Sequence, residues 1–329
     1  MWSPALRARS LAVDVGTCGL RVWVPGRGLV VDEPTVLALD EVRGTTAAFG
    51  RAAIELAAAA SGDVILVRPI QAGVVVDEAH AARLLTLALT AAEIGSFTRS
   101  RLMLCIPAGA TAVESRALCR LLADAGSSTV VAVRATLAAA AGAGLPVDEP
   151  YGSMVMDVGG GCCAAAVVAL GEVVTQAAVR RGGDDFARVV AARVRARHDV
   201  LLGLPAADGL VRRFGVGSGR AGTGTRVTGR RLVDGVATEV LVTGADVHCC
   251  VSEIVADVTD LVAATLGQCR PELVQDVVEG GLHLTGGGAL LPGLDAHLVQ
   301  ATGLAVSTVT DPRTATIRGA AALLERDGS

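Results

Sequence analysis

The chain contains no lysine: all 29 of its basic residues are arginine. That excludes a Schiff-base lysine, a Walker-A phosphate ligand and a kinase-type lysine anchor together. Metal and disulfide frameworks are missing too. The eight cysteines include two vicinal pairs, Cys162-Cys163 and Cys249-Cys250, but no C-x-x-C and no zinc-ligand spacing. With no signal-peptide pattern at the start of the chain, reduced thiols serving as small buried hydrophobes are expected, and no disulfide. No apolar run approaches the ~20 residues of a membrane helix, since stretches such as "LAAAAGAGLPV" are broken by glycine and proline. Nor is there a basic excess. A net charge of −4 lacks the electrostatic footprint of a nucleic-acid binder, so neither DNA nor RNA is expected as a partner.

What is present is a long apolar chain. At 329 residues and 51% hydrophobic content it can build two cores, on a prior of ~100–200 residues per domain. "SLAVDVG" reads as a strand ending on Asp14, and "LRVWVPGRGLVVDEPTVLAL" continues as extended segments around the Gly26-Arg27-Gly28 turn. Helical stretches are expected at 50–60, 78–93 and 113–125, with the strand "RLMLCIP" between the last two. "MVMDVGGGCCAAAVVALGEVV" begins a second half as strand, glycine turn and strand. Asp157 follows Asp14 by 143 residues, and Gly159, Gly171 and Val173-Val174 then fall on Gly16, Gly28 and Val30-Val31. Such a recurrence points to a duplicated domain with a cleft between its halves. A long helix is expected from Asp185 through "DVLL", followed by a hairpin turning at Asp234-Gly235.

Three strand-to-glycine-turn units result: "DVGTCG" at 14–19, "DVGGGC" at 157–162 and "TGGGALLPG" at 285–293. Glycines let backbone N–H groups ring phosphate oxygens, and two strand-end aspartates can hold a hydrated Mg²⁺ beside them. The N-terminal "MWSPALRARS" could place Trp2 and Leu6 over arginines as a weak membrane-surface anchor, with Phe97 as a second apolar contact.

These loops, with "GLVVDEPTVLAL", "VRPIQAGVVVD", "CIPAGATAVESRAL", "AAAAGAGLP", "RRGGDDF" and "DPRTATIRGAAALLE", resemble in order and spacing the MreB and Mbl family of the actin, sugar-kinase and DnaK-type superfamily. The resemblance implies an α/β actin-like ATPase fold of two duplicated domains around a nucleotide cleft. Domain I would span 10–148, domain II 149–312, and a C-terminal helix in 313–329 would pack back on domain I. No peptide-binding domain of the DnaK type is expected to follow. The implied ligands are ATP or ADP with Mg²⁺. Gly16, Thr17 and Cys18 would form the first phosphate loop and Gly159, Gly160 and Gly161 the second. Gly182, Gly183 and Asp184 would form a nucleotide-side turn. Asp208 would be a nucleoside-side acid, and Gly286, Gly287, Gly288 and Ala289 the adenosine loop. Asp14 and Asp157 would hold Mg²⁺ through water, Asp157 also acting catalytically.

The sequence departs from the family pattern where the chemistry would sit. Cys162, Cys163 and Ala164 replace Thr-Thr-Glu, Arg134, Ala135 and Thr136 replace Glu-Glu-Pro, and Cys18-Gly19 replaces Ala-Asn. On the nucleoside side, Leu204 and Val211 replace polar residues. The implied function is a cytoplasmic filament at the inner face of the membrane, guiding wall synthesis and cell shape with weak or absent ATP hydrolysis. Its partners would be itself or an MreB paralogue, and membrane-bound wall-synthesis and shape proteins. The alternative is a non-polymerising pseudo-ATPase adaptor of the same machinery.

Overall fold

A computed structural model describes residues 9–59, 62–92, 100–126, 129–217 and 222–326. The proposed N-terminal anchor residues Trp2 and Leu6, and Phe97, lie outside them. The described chain forms two compact units, one from residues up to Gly144 plus those from Thr314 onward, the other from Leu145 to Arg313.

The first unit runs β1 (Arg9–Val15), β2 (Leu20–Val24), β3 (Gly28–Glu33), β4 (Leu37–Asp40), β5 (Thr45–Phe49), α1 (Gly50–Ala59), β6 (Val64–Val67), β7 (Ile70–Gln71), β8 (Val74–Val75) and α2 (Glu78–Ala91). It continues through β9 (Ser100–Ile106), α3 (Ala112–Asp124), β10 (Thr129–Arg134) and α4 (Ala135–Gly142). The second unit runs β11 (Ser153–Val158), β12 (Cys163–Ala169), β13 (Glu172–Val179), α5 (Gly183–His198), β14 (Val200–Leu201), α6 (Leu204–Phe214), β15 (Gly224–Arg231), β16 (Ala237–Thr243) and α7 (Gly244–Gly267). It closes with α8 (Pro271–Gly280), β17 (Leu282–Thr285), α9 (Leu294–Thr302) and β18 (Val306–Thr308), after which α10 (Ala315–Arg326) belongs to the first unit.

The duplication seen in the sequence is present in the topology. The two main sheets have the orders β10-β9-β1-β2-β3 and β18-β17-β11-β12-β13. In each, an antiparallel three-strand meander is joined to two parallel strands through its first strand. Even the register repeats at the same offset: Val15 faces Leu20, and Val158 faces Cys163. The β12–β13 turn is made by Leu170 and Gly171, both at positive φ.

β1 and β11 are almost wholly buried because a parallel neighbour and covering helices enclose them. β12 is buried along its whole length, and its alanines and cysteine let α7 lie close against it. Each unit has its own core, with Leu11, Leu20, Leu84 and Leu102 in the first and Met154, Phe186, Val258 and Leu284 in the second. Local capping fixes the helix starts: Thr111 and Glu114 make a capping box on α3, and Thr243 and Asp246 one on α7. Burial raises the Asp246 carboxyl, but hydrogen bonds from Thr243 and the Arg197 guanidinium outweigh it and hold the group below its usual range.

Two features differ from the sequence reading. α5 stops at His198 rather than running on, because Asp199 turns left-handed (φ 53°) and Val200–Leu201 pair with Arg230 and Arg231 as a strand. β5 and β6, which flank β4 in a three-stranded sheet, and helix α8 appear where no element was read. Their segments are short, and neither shows a strong alternation or a long apolar stripe. No helix among the described residues is long and apolar enough to cross a membrane, and no disulfide joins the cysteines.

α10 is anchored on α4 by glycine-mediated backbone contact. A Cβ at Gly319 would stand 1.7 Å from Ala138 O, and one at Gly142 1.8 Å from Ala315 O. Gly209, inside α6, meets nothing within 4 Å. Gly319→Ala is therefore expected to overpack the helix pair and cost at least ~3 kcal/mol, the upper end for such changes. Gly209→Ala should instead stabilise by ~0.5–1 kcal/mol through helix propensity. Urea unfolding of the two variants beside the native chain checks both signs.

Candidate functional site

In the first unit the site grows from the β1–β2 turn. Asp14 is the last side chain but one of β1, and Gly16 closes the turn by donating its N–H to Gly19 O at 2.9 Å. The turn is held from two sides. Thr35 Oγ1 donates to Gly16 O at 2.7 Å, and the Gly73 N–H donates to Thr17 Oγ1 at 2.9 Å. Thr17 is consequently buried, with its hydroxyl oxygen engaged inside the unit, whereas Cys18 is exposed. Thr17 can offer a ligand its backbone more readily than its side chain.

The second unit repeats the turn: Gly159 donates to Cys162 O at 3.0 Å. Here the other expected glycines converge on it. Gly183 N–H donates to Gly159 O at 3.0 Å and Asp184 N–H to Gly160 O at 2.8 Å, so the start of α5 is fastened to the β11–β12 turn. Gly182 must be glycine, because a Cβ there would lie 2.5 Å from Gly159 O. The third loop arrives from β17. Thr285 faces Asp157 across the parallel pair and its hydroxyl lies 3.3 Å from both Met156 O and Asp157 Oδ1. Gly286, at φ 80°, brings the chain so close that a Cβ would sit 2.4 Å from Asp157 Oδ1. Gly288 packs on Val158, where a Cβ would be 2.3 Å from Cγ1. Gly287, between them, meets nothing within 4 Å, and its backbone is not left-handed. Gly161 and Ala289 are buried, Gly161 in the turn and Ala289 in the short 3₁₀ turn Gly287–Leu290.

Asp208 lies on α6 and pairs with Arg212 on the same helix at 2.6 Å, among the described contacts its partner. At the positions expected to be hydrolytic, Ala135 opens α4 beside an exposed Arg134, and the half-buried Cys162 directs its Sγ toward Cys163 O at 3.7 Å. The neighbouring Cys163 is fully buried, and that burial pushes its thiol well above the usual range. Neither cysteine supplies the hydroxyl that a threonine would.

The two aspartates differ in their suitability for Mg²⁺. Asp157 has a hydroxyl beside it and glycine backbone on either hand, a donor set that suits a hydrated hard cation. Asp14 does not fit the expectation. Its carboxyl is mostly buried, which pushes it above its usual range, and Arg21 Nη1 pairs with Oδ2 at 3.4 Å. No cluster of three His, Cys, Asp or Glu side chains stands ready for a metal among the described residues. Arg21, Thr35 and Gly73 were missed by sequence reasoning, and Thr285, which opens the third glycine unit, was given no role of its own. Arg21 alone had a readable signal, since a four-residue turn after Val15 puts residue 21 opposite residue 14.

Paired sheets of one topology, each opening on an Asp-x-Gly turn, with a further glycine loop beside the second turn, define an actin-type fold. Known proteins agree. The family described as MreB/Mbl protein matches residues 8–328. The cell shape-determining protein MreB of Escherichia coli K12 is 36% identical over 327 residues, 97% of this chain and 94% of that protein. Mbl of Bacillus cereus is 29% identical over 320 residues, 97% and 96% of the two. Among solved structures, MreB 5 of Spiroplasma citri bound to AMPPNP superposes with a TM-score of 0.90 at 24% identity, covering 98% of this chain and 97% of that one. The MamK double helical filament superposes at 0.82 with 21% identity, covering 97% and 99%. The chain belongs to the MreB/Mbl family.

Because Gly182 is needed for the α5 start to reach the turn, Gly182→Ala is expected to lose the Gly183 and Asp184 hydrogen bonds and lower stability by ~1–3 kcal/mol. Gly183→Ala, whose Cβ would have ordinary contacts from 3.6 Å outward, should change it by less than ~1 kcal/mol. Thermal unfolding of both variants tests the contrast.

Proposed function

We propose that this chain is a cytoskeletal filament subunit that binds ATP or ADP at its glycine turns, hydrolyses it slowly, and guides wall synthesis and cell shape at the inner face of the membrane. Gly287 carries the reading. Gly286 and Gly288 are explained by contacts with Asp157 and Val158, but no protein atom and no left-handed backbone explains a glycine at 287. A residue kept bare for no internal reason, in the loop that meets the strand-end carboxylate, suits close approach by a ligand. The Gly160–Gly161 backbone of the turn, with the α5 dipole behind it, would then face phosphate oxygens, the Gly159, Gly183 and Asp184 N–H groups being spent on holding the turn together. Relatives support the ligand and the assembly: Spiroplasma citri MreB5 structures hold AMPPNP and ADP, and MamK forms a double helical filament.

The pair of carboxylates expected to hold hydrated Mg²⁺ is reduced to Asp157, since Asp14 is engaged by Arg21. Mg²⁺ would supply charge neutralisation at the phosphates; the chain itself supplies Asp157, Thr285 and the glycine amides. The water-orienting groups of the family are replaced by Ala135 and Cys162. A positioned base contributes ~10²–10⁴ in rate, so turnover should be correspondingly slow even when the site is full. Arg134 cannot act as that base, because a guanidinium stays protonated. The same two replacements favour a second reading, a non-polymerising adaptor that interacts with an MreB paralogue or the wall-synthesis proteins. Sedimentation decides between them: pelletable polymer with ATP supports the filament, and its absence across nucleotide states supports the adaptor.

Two outcomes are expected. Gly287→Val should leave the unfolding midpoint unchanged yet weaken ATP binding by at least ~tenfold in calorimetry, a loss of about 1.4 kcal/mol. Native affinity would disprove the assignment of this loop. Phosphate release should be slow in the native chain and faster in the Ala135→Glu, Cys162→Thr double variant. Brisk native turnover that Asp157→Ala abolishes would contradict the proposal.

A further inference from the structure

The 24 residues of α7 extend ~36 Å, and side-chain contacts fix what lies beside each part of the helix. At its first turn Asp246 pairs with Arg197, near the end of α5. Further along, Glu253 and Asp257 hold Arg181, just ahead of α5, at 2.9 and 2.8 Å. In the last turn Thr265 Oγ1 donates to Ala165 O of β12 at 3.3 Å. α8 comes next, and the Gly152 N–H, just ahead of β11, donates to Asp276 Oδ2 on it at 2.7 Å. The second half of α5 and the whole of α8 therefore stand at opposite ends of α7, both within the second unit.

Each end carries a surface that its own unit leaves uncovered. On α5, Ala191, Ala192, Arg195 and Ala196 line an open groove of about 380 Å³, with Leu201 and Leu202 as its other wall. Leu201 is 46% exposed. Alanines at 192 and 196, one turn apart, leave room for a helix to approach closely. The rim is basic: from Phe186 to His198 the chain has four arginines and no acid. Arg195 makes no ion pair among the described residues. α8 has the converse character. Leu273 and Val277 are buried, while Glu272, Gln275, Val278 and Glu279 are exposed along the other side. Val278 is 59% exposed, and the helix holds three acids and no base.

We infer that α8 of one copy docks in the α5–β14 groove of the next, Val278 entering between the alanines and Leu201 while Glu279 meets Arg195. The inference rests on the filament reading above and gives it a contact. An apolar knob beside acids is complementary to an apolar groove beside arginines, which sets both partner and register. Because the two surfaces stand at opposite ends of α7, the contact is heterologous. Each copy offers its groove to one neighbour and its α8 to another, the arrangement that propagates as an open filament.

Sedimentation of the full chain with ATP tests this, read as the protein concentration above which polymer pellets. Arg195→Glu and Glu279→Arg each place like charges in the contact and should raise that concentration at least ~tenfold. Both residues are exposed, so the unfolding midpoints should match the native one. An equimolar mixture of the two variants restores opposite charges at every contact between alternating copies, and should pellet within about threefold of the native concentration. Variants that pellet like the native chain, or a mixture that stays soluble, would overturn the inference and leave the filament reading intact. A native chain that stays soluble with both ATP and ADP would overturn the filament reading and the inference together.

Discussion

Backbone in contact with backbone, at positions where no side chain can exist, is the constraint on which the second unit's site depends. A Cβ at Gly182 would collide with Gly159 O, and one at Gly286 with Asp157 Oδ1 and Val158 O. Because those atoms are absent, the start of α5 and the end of β17 both reach the β11–β12 turn, and three separate segments of the chain meet there. Removing any of these glycines separates elements that lie far apart in the chain. The same device works away from the site, where Gly142 and Gly319 bring α4 and α10 into contact and bind the last helix to the first unit.

Against this shared plan the two halves differ in charge. They repeat a sheet order, a hairpin register and a turn hydrogen bond, but the residue facing the strand-end aspartate is arginine in one and alanine in the other. Asp157 is left beside a threonine hydroxyl, and Asp14 is tied into an ion-paired row. Duplication fixes where the carboxylates stand; the neighbouring strand determines what each can hold. A carboxylate in a buried pair is a structural anchor first, since breaking such a pair leaves an uncompensated charge.

Much of this was legible in the sequence for a physical reason. Glycines forced by close approach, strand-end aspartates and alternating or continuous apolar runs are local signals, so the three turns and the doubled sheet could be read from spacing alone. The partners that hold the turns are not local. Thr35 acts from the β3–β4 connection, Gly73 from the β7–β8 turn and Thr285 from β17, and only the tertiary fold brings them to Gly16, Thr17 and Asp157. Asp208, assigned by its place in a motif, pairs with Arg212 one helical turn away, a contact its helical spacing already allowed. The end of α5 was misread because a left-handed Asp199 gives no warning in an otherwise helical pattern.

The claim that matters most is that the three glycine segments act together as one ligand-binding surface. Hydrogen–deuterium exchange of the full chain with and without ATP tests it directly. Amides of 159–162, 182–185 and 286–289 should slow together on adding nucleotide, because a ligand bound across these segments would hold closed the hydrogen bonds that join them. Unchanged exchange in those segments at saturating ATP, or protection confined to another region of the chain, would contradict it.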